Sequence, residues 1–139
     1  MSDRVVPLRE PMYAGKAFDG RTATAAEAHA LATGFLDQAR QSGVPGPLAA
    51  QGAVWFVVSE LMANAGRHAA GPCVLELELS GRVLEISVWD TAPTLREPMD
   101  SANAPSRKRG LEVIRELCLA VAVERSAGGK RIRARVPLS

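Results

Sequence analysis

Apolar residues recur along this chain in two different periods, and the switches between them mark its elements. Ala28, Leu31, Ala32, Phe35, Leu36 and Ala39 form a stripe of helical period, so a helix runs from a cap at Thr22 or Thr24 to about Gln41. Ser42-Gly43-Val44-Pro45-Gly46-Pro47 stops it. A second helix spans Leu48 to Ala69, because Val54, Trp55, Val58, Leu61, Met62 and Ala65 fall on one broad sector at about 100° per residue. The period then drops to two. Cys73, Leu75, Leu77 and Leu79 alternate with Glu76 and Glu78, Ser80-Gly81 turns the chain, and Leu84, Ile86 and Val88 alternate with Glu85 and Ser87 across Val83–Asp90. This pattern is an antiparallel hairpin that covers a core on one side only. Helical spacing returns from Gly110 to Leu119, with Leu111, Ile114, Leu117 and Cys118 inward. Strands Val121–Arg125 and Arg131–Val136 follow, joined through Ser126-Ala127-Gly128-Gly129-Lys130.

Two stretches carry no period. Residues 1–12, with Pro7 and Pro11, form a tail that leads into a short edge strand over Tyr13–Phe18. Thr91 to Arg109 holds Pro93, Pro98 and Pro105 among small or polar residues, and a loop of that length in a compact domain is a lid, a binding loop or disordered. The predicted order is strand, helix, helix, two strands, long loop, helix, two strands. It implies an α/β fold, a two-layer sandwich of one sheet with three helices on one face.

Composition narrows the possibilities. At 139 residues the chain suits a single domain over residues 13–139, and 47% hydrophobic with 23% charged residues excludes a disordered protein. No run approaches the ~20 apolar residues of a membrane span, and Met1-Ser2-Asp3-Arg4 opens no signal peptide, so the expectation is a cytoplasmic protein with no membrane contact. Cys73 and Cys118 lack metal-ligand spacing and read as reduced core residues. With 17 basic and 15 acidic residues the net charge is +2, which demands no nucleic-acid partner. Arg131, Arg133 and Arg135 do alternate outward on the last strand, but Glu76, Glu78 and Glu85 share that outer face and account for them by cross-strand pairing.

Candidate chemistry lies at the end of the second helix. Glu60, Asn64, Arg67 and His68 align a carboxylate, an amide, a guanidinium and an imidazole along one stripe. Two readings fit that stripe equally: a solvated face closing in a basic last turn, or a site. Other polar features converge on it, namely Asp90 at a strand end and the long loop that leads into Arg109-Gly110.

With these features in place, the chain resembles the GHKL superfamily of ATP-binding domains, and within it the bacterial anti-sigma-factor serine kinases. Glu60-Leu61-Met62-Ala63-Asn64-Ala65-Gly66-Arg67-His68-Ala69 resembles that branch's helical box, E-L-x-x-N-A-x-x-H-A. Val88-Trp89-Asp90 is similar to the strand end that bears its adenine-binding aspartate. Arg109-Gly110-Leu111-Glu112-Val113-Ile114 is similar to its phosphate box, and Gly128-Gly129-Lys130 to its last glycine turn. The likeness covers nearly the whole chain in the family's order.

The resemblance implies a Bergerat-type sandwich with a mixed, mainly antiparallel sheet, and ATP and Mg²⁺ as cofactors. It implies Glu60 as the catalytic base and Asn64 as the Mg²⁺ ligand. Around ATP it gathers Asn64, Arg67, His68, Asp90, Pro93, Arg109, Gly110, Leu111 and Lys130. Its partners would be a sigma factor and a small anti-sigma-factor antagonist, the latter phosphorylated on serine, and the protein would be a homodimer. Chemically, a carboxylate in a partly dry cleft one turn from a metal-binding amide can take the proton of an attacking hydroxyl. An aspartate at a strand end accepts from the adenine amine. The chain departs from the pattern at Thr91-Ala92-Pro93, where the family often has glycine, at Ser106-Arg107-Lys108, and at Arg131, read as standing where the family often has a threonine near adenine. These departures leave a second reading open, a GHKL-fold binding module that acts on a partner by contact, with weak or lost ATP binding.

Overall fold

In a computed structural model, residues 12–19, 25–44, 47–68, 72–90, 112–126 and 128–138 are described. The expected tail before residue 12, the expected helix caps Thr22 and Thr24, Pro45-Gly46, and residues 91–111, which hold the expected long loop and the expected start of the third helix, lie outside them. The elements are β1 (Met12–Phe18), α1 (Ala25–Gln41), α2 (Pro47–His68), β2 (Cys73–Ser80), β3 (Val83–Asp90), β4 (Ala120–Ser126) and β5 (Gly129–Pro137). Residues 112–117 form a third helical segment between β3 and β4.

The strands make a sheet in the order β1-β2-β3-β5-β4. The resemblance implies a mixed, mainly antiparallel sheet. All pairings among the described strands are antiparallel. The register follows the alternation in the sequence: Leu77 faces Ile86, Leu75 faces Val88, and Ile86 in turn faces Ala134. These residues and Leu84, Ile132 and Val136 are buried on the inner face, under the helices. On that face α1 lies over β1 and β2, and α2 over β3 and β5.

The helices bury most of the stripes their sequences carry; Leu31 of α1 is half-buried, and α2 shows one exchange. Ala28, Ala32, Phe35, Leu36 and Ala39 of α1 are buried, as are Val54, Val58, Leu61, Met62 and Ala65 of α2. Trp55, expected among them, is 36% exposed, and Val57 is fully buried instead. The indole is amphipathic and finds partners on the flank. It stacks on His29 with centroids 5.7 Å apart and donates from Nε1 to Thr33 Oγ1 at 3.1 Å. That contact ties the two helices together outside the core.

Two glycines carry turns. Gly43 has φ 92°, and the Gly43 and Val44 amides donate back to Arg40 and Ala39, a left-handed stop to α1. Gly81, φ 60°, takes the first central position of the β2–β3 turn and suits the right-handed twist of the hairpin. The third helix ends before its expected limit at Leu119. Cys118 N donates to Ile114 O at 3.0 Å, and Leu119 N already donates to Arg135 O at 2.7 Å, so the chain passes straight into the edge of the sheet. Ile114 is fully buried, whereas Leu117 and Cys118 are half-buried.

Candidate functional site

Position along α2 determines what Asn64 can meet. It follows Leu61 by three residues and Val57 by seven, so helical geometry turns it toward the sheet beside two core residues. Asn64 is fully buried, and neither its Oδ1 nor its Nδ2 has a hydrogen-bond partner among the described residues. An unpartnered buried amide costs about 1–3 kcal/mol. Its chemistry, a neutral oxygen and two N–H donors in a dry place, fits a polar ligand or a hard cation that takes few protein ligands. Glu60, one turn earlier, is half-buried and keeps contact with solvent. The stripe is thus divided by burial, since Asn64 lies inside the protein and Glu60 at its margin. Arg67 and His68 belong to the backbone of α2, and their side chains lie outside the described residues.

Asp90 ends β3 on the inner face. Strand alternation puts it in line with Leu84, Ile86 and Val88, and it is buried. Across the ladder it faces Lys130, the second residue of β5. Lys130 Nζ lies 2.8 Å from Asp90 Oδ2, with side-chain exposures of 1% and 2%. The ammonium makes no well-directed hydrogen bond among the described residues. Cys73 faces Asp90 from β2, and its thiol is pushed up, first by burial and then by the carboxylate's charge. Asp90 therefore sits in a poorly hydrated corner with a cation supplied by the chain itself.

Arg131 was read as standing at the family's threonine. Arg131 pairs with Trp89 on the outer face, and its guanidinium lies 5.0 Å from that indole's centroid. Lys130 is the residue that faces Asp90. The alternation Lys130, Ile132, Ala134, Val136 already carried this signal, because it puts the lysine in phase with the core. A second feature was not foreseen. His29 Nε2 and Ser59 Oγ lie 2.6 Å apart, beside Glu60, and join α1 to α2.

On the outer face Arg131 and Arg133 find Glu76 and Glu85, as expected, and also Glu124, which was not expected. Arg133 meets Glu124 at 2.8 Å and Glu85 at 3.7 Å, and Arg131 lies within 3.7–3.9 Å of Glu76, Glu85 and Glu124. Pro93, Arg109, Gly110 and Leu111 lie outside the described residues. Among the described residues, no three histidine, cysteine, aspartate or glutamate side chains group to hold a metal, and no helix is long and apolar enough to cross a membrane.

Comparison with known proteins agrees with this architecture. The family described as "Histidine kinase-like ATPase domain" matches residues 21–136. Among solved structures, the chain is similar to the histidine kinase domain of the blue-light activated histidine kinase of Erythrobacter litoralis EL346. The TM-score is 0.52 at 21% identity, over 80% of this chain and 61% of that one. The chain thus spans less than two thirds of that domain's length, and the likeness speaks for the fold. No curated protein sequence matches the chain closely.

Proposed function

The chain belongs to the histidine kinase-like ATPase domain family, and from that premise we propose that it is an ATP-dependent protein serine kinase acting as an anti-sigma factor. In this reading it phosphorylates a serine of a small antagonist protein and, in its other complex, sequesters a sigma factor. It works as a cytoplasmic homodimer. The observation that carries the nucleotide part is Asn64: a fully buried amide with both polar atoms unpartnered among the described residues, on the sheet-facing side of α2.

Each residue has a stated role. Asn64 Oδ1 would hold Mg²⁺, which when bound supplies charge screening for the phosphates. Glu60, half-buried one turn away, would accept the proton of the attacking serine hydroxyl, its position at the margin leaving it within reach of a protein substrate. Asp90 would accept a hydrogen bond from the adenine amine, with Lys130 beside it. Arg67, His68, Pro93, Arg109, Gly110 and Leu111 complete the proposed nucleotide contacts by family likeness. The sequence pattern would start a helix at Gly110, and a glycine there would suit the close approach of backbone N–H groups to phosphate.

Two measurements test the reading. Calorimetry of the full chain with Mg-ATP should give saturable binding, and incubation with the cognate antagonist should yield phosphoserine. Glu60→Gln should abolish transfer while leaving nucleotide bound, and undiminished transfer would remove Glu60 as the base. The departures at Thr91-Ala92-Pro93 and Ser106-Arg107-Lys108 favour the second reading, a binding module that regulates a partner by contact. Absence of both heat and thermal shift at millimolar Mg-ATP would select the module.

A further inference from the structure

We infer that Lys130 is a base-reading residue of the nucleotide site: its ammonium donates to the purine ring nitrogen next to the amine that Asp90 accepts. The inference rests on the ATP-binding reading above and names a second contact within it.

Its first support is placement. Lys130 lies directly opposite Asp90 in the β3–β5 ladder, on the inner face, while Arg131, Arg133 and Arg135 of the same strand face out. Of the basic residues on β5, Lys130 is the one buried at the level of the core.

Its second support is an unmet bonding demand. An ammonium carries three N–H donors and no acceptor. Lys130 Nζ is 1% exposed and has Asp90 Oδ2 at 2.8 Å, yet makes no well-directed hydrogen bond among the described residues. A buried donor without an acceptor is costly, so a neutral acceptor brought by a ligand is well received there.

The third support is complementarity. A carboxylate offers about four lone-pair sites on its two oxygens, so one carboxylate can serve an ammonium and an incoming amine together. The pair then presents an acceptor and a donor side by side, 2.8 Å apart. The edge of adenine presents the reverse, an exocyclic amine beside the ring acceptor N1. Each protein group finds its counterpart on adjacent atoms of the base. Because the pair is internally neutral, the base can approach without meeting an uncompensated buried charge.

The test uses the full wild-type chain with Mg-ATP and with Mg-1-deaza-ATP, in which a C–H replaces N1 and the amine is kept. Calorimetry should show 1-deaza-ATP bound at least about tenfold more weakly than ATP, the loss of one hydrogen bond to a charged donor. In Lys130→Met that difference should collapse to within about twofold. Equal binding of both ligands by the wild-type chain overturns the inference, and needs no variant to fold. A tenfold difference that persists in Lys130→Met also overturns it, by assigning N1 to another group. Absence of binding by either ligand at millimolar concentration instead removes the nucleotide reading, and this inference with it.

Discussion

On the inner face of the sheet Asp90 and Lys130 meet at 2.8 Å with side-chain exposures of 2% and 1%, whereas on the outer face Arg133 and Glu124 meet at the same distance with exposures of 34% and 47%. Distance alone makes the two pairs equivalent. Water makes them different. The outer ions keep much of their hydration, so their attraction is screened and their net contribution is small. The inner ions have given up their hydration, so each depends on the other, and losing either partner leaves a buried charge. The same division runs through the polar groups nearby. Asn64 is buried with its amide unpartnered among the described residues, while Trp89 on the outer face donates to Glu76 at 3.2 Å and carries Arg131 over its ring. Among the described residues, unmet polar demand remains on both faces, at Asn64 and Lys130 inside and at the Nε atoms of Arg131 and Arg133 outside.

The largest effect should come from splitting the inner pair. Lys130→Met is expected to cost about 3–5 kcal/mol of folding stability in chemical denaturation, and Asp90→Asn combined with it should recover part of the loss. A loss under about 1 kcal/mol would mean that the inner pair behaves like the outer one. Asn64→Leu should act in the opposite direction. Replacing an unpartnered buried amide with an apolar side chain of similar size is expected to stabilise the fold by about 1–3 kcal/mol while abolishing Mg-ATP binding. Stability lost rather than gained would show that Asn64 already has its partners.

A thiol titration gives a smaller effect. Burial pushes Cys118 up from 9.0 to about 11. A thiol raised in the folded state favours folding fully below its unfolded pKa, and that contribution falls as pH rises from about 9 toward 11, where the unfolded chain ionises and the folded one does not. In a Cys73→Ser background, the rate of Cys118 alkylation should therefore reach half its limit near pH 11. A midpoint near 9 would show that the residue is solvated. Smallest of all, a double-mutant cycle on Arg133→Gln and Glu124→Gln should give a coupling under about 1 kcal/mol that fades with added salt.

Much of this arrangement was legible in the residues. Periods of 3.6 and 2 located both long helices and the strands, because each element has one face in the core and side-chain direction follows from backbone geometry. The outer ladder of arginines and glutamates was legible for the same reason, since alternation puts them on one face and opposite charges pair wherever they fall. Trp55 was misjudged as core because periodicity assigns a sector and cannot tell its centre from its flank. The third helix was read too long because its end is set by the Leu119 to Arg135 hydrogen bond, made between segments distant in sequence.

What the sequence determined by itself was composition, periodicity and the order of the motifs, and these suffice for the fold family, because they depend only on neighbours along the chain. The tertiary structure decided which polar residues share a place. Glu60, Asn64, Asp90 and Lys130 each carry candidate chemistry in the sequence, but the opposition of Asp90 and Lys130 depends on the pairing of β3 with β5 across a long connection. The isolation of the Asn64 amide depends on what the sheet and helices exclude around it. Burial and charge compensation are properties of the assembled layers, and a linear pattern does not hold them.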